Sequence, residues 1–279
     1  MRSRTGTVFR RVVLYTLMTM ITIVTIYPVV QVVGTSLRPG DRLYSTSLRP
    51  FPEDATFDAY RAILFEKPFP LWFRNSFVVA FFVTVLGVSL ASSAGYAFSR
   101  FRFPGRGIGM SAFLVTQMFP ATMLLLPLYM LMRRIGLTDS LPGLAVAYTA
   151  TALPFCVWTM KGYFDSIPID LEEAAFVDGA SRVGAFLRVL LPLAAPALAI
   201  TALFSFMAAW SEFMVARVIL SSKEWYTLPL GLEGLAGTFQ TEWANYSAGA
   251  VLVSIPAVAV FLALNRFLVG GLTLGGVKD

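Results

Sequence analysis

Residues 172–193 read EEAAFVDGASRVGAFLRVLLPL, a charged and sharply punctuated island in an otherwise oily chain. Asp170 followed three residues later by Glu173 has the form of a capping-box start. Pro168 is tolerated near a helix start, and the carboxylates of Asp170, Glu172 and Glu173 suit the positive end of a helix dipole. Gly179 supplies a stop, because glycine enters the left-handed conformation that ends helices at little cost. Ser181 can cap a second helix running to the Leu191–Pro192 break. Ala174, Ala175, Gly179 and Ala180 let another surface approach closely, while Glu172, Glu173 and Asp178 offer anionic contacts. Two readings fit: an amphipathic helix lying on a membrane, or a knob seated in a partner's groove. A membrane-surface helix normally carries lysine and arginine on its polar face. This one is acidic through its first turns, which favours a protein partner.

The surroundings set the class. The chain has 279 residues, 57% hydrophobic and only 14% charged, with a mean hydropathy of +0.71. A soluble domain carries about a quarter charged residues, so this composition is that of an integral membrane protein. The single cysteine, Cys156, rules out an internal disulfide or a multi-cysteine metal site and reads as a small packing residue. The absence of histidine excludes Ser-His-Asp triads, histidine-ligated metals and histidine proton relays. The net charge of +6 suits basic loops between spans better than a nucleic-acid partner. Six runs approach the roughly 20 apolar residues a spanning helix needs: about 12–34, 71–98, 108–131, 141–161, 194–220 and 246–269. The fold expected is therefore an all-α membrane protein of six transmembrane helices. The first run is longer than a signal-peptide core and lacks a small-residue cleavage site, so it reads as a retained span.

Orientation follows from lysine and arginine placement. With the N-terminus inside, the cytoplasmic segments hold Arg2, Arg4, Arg10, Arg11, Arg100, Arg102, Arg106, Lys161, Arg182, Arg188, Arg266 and Lys278, twelve of 22 basic residues. The raw count is nearly balanced. Density decides for this orientation: four bases fall in the first 11 residues and three in SRFRFPGR. Both termini and the island, within a loop at 162–193, are then cytoplasmic.

At this point the residues resemble a known family. Glu173, Ala174, Ala175, Gly179 and Pro192 match the EAA loop of permease subunits of ATP-binding-cassette importers. SSAGYAFSRFRFPGR (92–106) looks like the end of the second span in the carbohydrate branch. NRFLVGGLTLGGVKD (265–279) is similar to the ending of the second maltose-type permease subunit. The resemblance implies a single permease domain over 1–279 with the type I importer (MetI-like) fold, of the maltose and trehalose class. It implies a homologous second permease subunit, two ATPase subunits and an extracytoplasmic sugar-binding protein, all around a path through membrane lipid. The island becomes a coupling helix: Glu172, Glu173, Ala174, Ala175, Asp178, Gly179, Ala180 and Pro192 meet an ATPase, with Glu173 as the charge contact. The tail at 270–279 would reach the ATPases through Leu274, Gly275, Gly276, Val277 and Lys278, against the plainer reading of a frayed end. An outer loop would probe the binding protein through Glu233, Gly234, Leu235, Ala236, Gly237 and Thr238. No cofactor and no metal is expected in this chain. ATP and magnesium would sit on the ATPase subunits, because no G-x-x-x-x-G-K-[ST] loop occurs in the sequence.

Glu212 falls within the fifth run. A carboxylate at a helix centre costs about 2.5–3.5 kcal/mol on the insertion scale, so it should face a cavity or act as a structural partner between helices. Asn75 and Gln117 read as residues that knit helices together. Other classes stay open at this stage: an importer permease for another solute such as polyamine or phosphate, or an ion-driven secondary transporter. The latter calls for inverted repeats and intramembrane charges, whereas the charged island here lies in a loop. An enzyme has no catalytic cluster to stand on.

Overall fold

The computed structural model describes residues 4–41, 51–236 and 241–274, and these are almost entirely helical. They divide into two compact units, 1–69 with 232–254 and 70–231 with 255–279.

The first unit holds α1 (Arg4–Ser36) and α2 (Asp58–Phe65). Within α1 the apolar stretch Arg10–Ser36 is long enough to cross a membrane. Side chains all round it, Tyr15, Met18, Ile23 and Tyr27 among them, are exposed. A helix that is apolar on every face needs lipid or another chain as its surroundings. Its end is tied to α2 through Ser36, whose hydroxyl lies 2.8 Å from that of Tyr60. Farther along, an isolated antiparallel bridge joins Ala236 to Thr241. Lys67 donates to Glu242 at 2.8 Å, and Asn245 donates to the same carboxylate at 2.7 Å.

The second unit is built on α3 (Phe69–Arg100), α6 (Leu141–Ser166) and α10 (Ala195–Trp210). α6 begins cleanly because the Ser140 hydroxyl accepts from the Gly143 N–H at 3.2 Å and proline occupies its first turn. Pro154 lies inside α6 without ending it. Ala91, Tyr96, Ala152, Cys156, Met160, Phe164, Leu190 and Ala197 form the core. Small residues bring the helices close, as is usual where lipid removes the hydrophobic drive. A Cβ placed on Gly95 would lie 2.8 Å from Met160 Cβ and 2.9 Å from the Lys161 backbone nitrogen.

Among the described residues, four helices are each long and apolar enough to span a membrane: Arg10–Ser36, Phe69–Arg100, Leu141–Ser166 and Trp243–Phe267, the last within α13 (Trp243–Leu274). The runs expected at 108–131 and 194–220 are not continuous helices. The former is α4 (Arg106–Met118) and α5 (Ala121–Arg134), bent by 110°. The break falls at Phe119, held extended (φ −80°, ψ 133°) before Pro120, as the residue before a proline prefers. The latter ends at Trp210 and restarts as α11 (Met214–Ile219). The segment ahead of α10, Arg182–Leu193, bends into it by 80°; with that pair and the α4–α5 pair each taken as one span, the count among the described residues reaches six.

Candidate coupling site

The island folds as α7 (Asp170–Val177), a glycine stop, and a second segment made of α8 (Arg182–Ala185), a π-helical turn at Phe186–Leu190, and α9 (Leu191–Leu193). Its start differs from the capping box read in the sequence. The cap position is Ile169, with no side-chain hydrogen bond. Its carbonyl accepts from the N–H groups of Glu172 (2.9 Å) and Glu173 (3.0 Å). Asp170 is thus the first helical residue, acting on the positive helix end by charge alone. The stop is a complete Schellman motif: Gly179 N–H donates to Phe176 O at 3.0 Å, and Ala180 N–H to Ala175 O at 2.9 Å. Gly179 has φ +87°, a conformation other residues rarely adopt. Ser181 caps α8, accepting from Gly184 N–H at 3.1 Å.

The two adjacent glutamates part company. Glu173 is exposed, but Glu172 is 4% exposed and points into the protein. Its carboxylate takes Nε of Arg100 at 2.9 Å, and the Tyr96 hydroxyl also donates to it. Nη2 of Arg100 donates to the Ile167 carbonyl at the end of α6, at 2.9 Å. The Tyr96 ring packs on Phe186 of the π turn at 4.7 Å between centroids. A pocket of about 180 Å³ opens here, lined by Tyr96, Arg100, Phe101, Glu172, Glu173 and Arg182 among others. Glu172 therefore leaves the set of outward contacts expected of it, because a charge paired and hydrogen-bonded on its buried side cannot also serve a partner.

What α7 presents outward is Glu173, Ala174, Val177, Asp178 and Gly179, with Ala175 and Ala180 half-buried and Pro192 exposed farther on. Val177 is 87% exposed. The outer surface of α7 thus combines acids with apolar side chains, Val177 bare at its tip and Leu171 and Phe176 also exposed. The sequence reading missed Val177, although an apolar residue just before an Asp-Gly stop was the available signal. It also missed Arg100 and Tyr96, whose partner lies more than 70 positions away.

The other candidates fall elsewhere. Glu212 is not within a continuous span but in the break after α10. Its carboxylate caps α11, accepting from Val215 N–H at 3.0 Å and Ala216 N–H at 3.2 Å, so its local duty is structural. Glu233 ends α12 (Leu228–Glu233), with Gly234 and Ala236 exposed and Leu235 buried. Gly237 and Thr238 lie outside the described residues. So do Gly275, Gly276, Val277 and Lys278, while Leu274 is the last residue of α13. Asn75 ties α3 to a loop, not to another span: its amide donates to the carbonyls of Glu224 (2.8 Å) and Tyr226 (3.0 Å). Asp139 binds a second loop, accepting from the N–H groups of Ser221 and Ser222, each at 2.9 Å. The Ser222 hydroxyl and these amides hold the Asp139 carboxyl below its ordinary value. Lys67 and Asn245 do the same for Glu242.

Comparison with known proteins covers most of the chain. The galactooligosaccharides transport system permease protein GanQ of Bacillus subtilis is 36% identical, over 95% of this chain and 94% of its own. The trehalose transport system permease protein SugB of Mycobacterium tuberculosis is 37% identical, over 88% and 94%. Among solved structures, a chain of a bacterial ABC transporter that imports the acidic polysaccharide alginate superposes with a TM-score of 0.83 at 25% identity, covering 95% of this chain and 98% of that one. The family model for the inner membrane component of binding-protein-dependent transport systems matches residues 84–273, which takes in α7, its glycine stop and both anchors of Glu172. This chain belongs to that family of inner-membrane transport components.

Proposed function

We propose that this chain is one permease half of an ATP-driven importer of neutral sugars, of the maltose, maltodextrin or trehalose class. The observation that carries the reading is the α7 knob, an acidic helix closed by Gly179 at φ +87°, in a chain that aligns over 95% and 88% of its length with a galactooligosaccharide and a trehalose permease. In this reading α7 docks in a cleft of a separate ATPase subunit, with Glu173 meeting a basic side chain there. ATP and magnesium belong to that subunit, and this chain does no hydrolysis of its own. A homologous second permease completes the path. An extracytoplasmic binding protein delivers sugar on the outer side, where the charge pattern of the sequence puts the loop holding Glu233. Both termini and α7 lie on the cytoplasmic side, where the dense basic segments fall.

The test is uptake into proteoliposomes holding the whole complex, with ATP inside and binding protein outside. Radiolabelled maltose, maltotriose and trehalose are the probes, and alginate oligosaccharide is the charged comparison. Uptake of a neutral sugar that stops without ATP supports the reading. Uptake driven by an ion gradient without ATP contradicts it, and transport of the alginate oligosaccharide alone moves the substrate to acidic sugars.

A further inference from the structure

Arg100, the last residue of α3, gathers contacts from two other elements. Nε reaches Glu172 of α7 at 2.9 Å and Nη2 reaches the Ile167 carbonyl at 2.9 Å. Its side chain is 10% exposed and that of Glu172 5%. One turn earlier on α3, Tyr96 donates to the same carboxylate, and Ser99 donates to Asp165 of α6 at 2.7 Å. The opposite end of α3 is anchored as well. Asn75 holds the carbonyls of Glu224 and Tyr226, and the Ser76 hydroxyl accepts from Leu228 N–H at 2.7 Å. Between these anchors runs one unbroken helix of 32 residues, about 48 Å long at 1.5 Å per residue.

We propose that Arg100 is a positioning residue for coupling, the strut that makes α7 and α3 move as one body. Displacement of the knob is thereby delivered to the loop at residues 224–228. The inference rests on the reading of α7 as an ATPase dock. Its physical basis is the penalty for sliding. Purely apolar packing would let α7 roll or shift along α3 and exchange one contact for another. A guanidinium fork tolerates little change of geometry, and moving α7 off it would strand a buried carboxylate and a buried guanidinium together. Tyr96 adds a second tether from the same helix. With both of its ends pinned, α3 has little freedom to absorb the motion by itself.

The experiment uses the complete complex in nanodiscs, with ATPase subunits that bind ATP but do not hydrolyse it. An environment-sensitive dye is attached at Lys223→Cys, an exposed position beside the far anchor, and MgATP is added. In the complex with Arg100 intact the dye signal shifts on ATP binding. Arg100→Ala binds ATP equally well but shifts at least about fivefold less, the low end of ordinary coupling between sites. Arg100→Lys, which keeps the charge but not the fork, gives an intermediate shift. A purely structural role would lower the amount of complex and leave the shift per ATP bound unchanged, and a full shift in Arg100→Ala overturns the proposal. Should Arg100→Ala fail to assemble, Arg100→Lys decides: a reduced shift per ATP supports the strut and an unchanged one overturns it. No shift even with Arg100 intact overturns delivery of the motion to this loop, whereas the reading of α7 as a dock fails separately, if ATPase subunits stay bound in Glu173→Lys.

Discussion

Replacing Glu172 by alanine removes the acid that anchors α7 inward. The pair it makes with Arg100 is nearly dry, at 5% and 10% side-chain exposure. Breaking such a pair from one side leaves the other charge buried without a counter-ion, which costs about 3–5 kcal/mol. Tyr96 also loses an acceptor, and an unsatisfied buried hydroxyl costs about 1–3 kcal/mol. The second figure overlaps the first, since a water entering the space would relieve both. Glu173→Ala, one residue along on an exposed position, should change stability by no more than about 0.5 kcal/mol. The two variants remove the same atoms from neighbouring positions. The assay is unfolding of the purified chain by SDS titration, read by tryptophan fluorescence. At about 1.4 kcal/mol per decade, Glu172→Ala shifts the unfolding equilibrium by roughly two to three and a half powers of ten, and Glu173→Ala by less than about threefold. Equal shifts in the two variants would refute the assignment of Glu172 as the inward member of the pair.

Gly179→Val forces a β-branched residue to φ +87°, strain on the order of 1–3 kcal/mol. It should loosen the α7 stop and reduce ATPase co-purification while the spans stay folded. Gly95→Leu puts a side chain where even a Cβ lies 2.9 Å from the Lys161 backbone. Overpacking of about 1–3 kcal/mol is expected, visible as faster proteolysis of the folded chain. Asp139 has its folded pKa depressed by the Ser222 hydroxyl and the Ser222 and Ser221 amides. Its stabilisation is therefore complete above the unfolded carboxylate pKa and is lost as pH falls through the lower folded value. Thermal midpoints between neutral and strongly acidic pH should drop more in the native chain than in Asp139→Asn.

Much of the site was legible because local chemistry specifies it. An Asp-Gly step after a helical run announces its own ending, and Gly179 closes α7 with the two hydrogen bonds of a Schellman motif. Ser181 at the next cap was readable for the same reason. The division of labour between Glu172 and Glu173 was not. Adjacent acids look alike in sequence, and what separates them is Arg100, brought to α7 by the packing of α3 against α6. The start of α7 was misread because a proline followed by isoleucine let a backbone carbonyl do what a side-chain cap does elsewhere. Hydropathy found the apolar runs but not their breaks. Runs at 108–131 and 194–220 score as continuous, whereas Phe119–Pro120 turns one and the break carrying Glu212 interrupts the other. Glu212 itself looked costly only while it was placed at a helix centre. At a helix start its carboxylate has amide partners ready.

The docking role of α7 is tested most directly by ATPase retention. The complex is purified through a tag on this chain, and the ATPase subunits held by Glu173→Lys are compared with those held by the native sequence. An exposed acid facing a basic cleft predicts that the reversed charge keeps the permease in the membrane but loses most of the ATPase and lowers ATP-dependent uptake in step. Full ATPase retention with native uptake in Glu173→Lys would contradict the account.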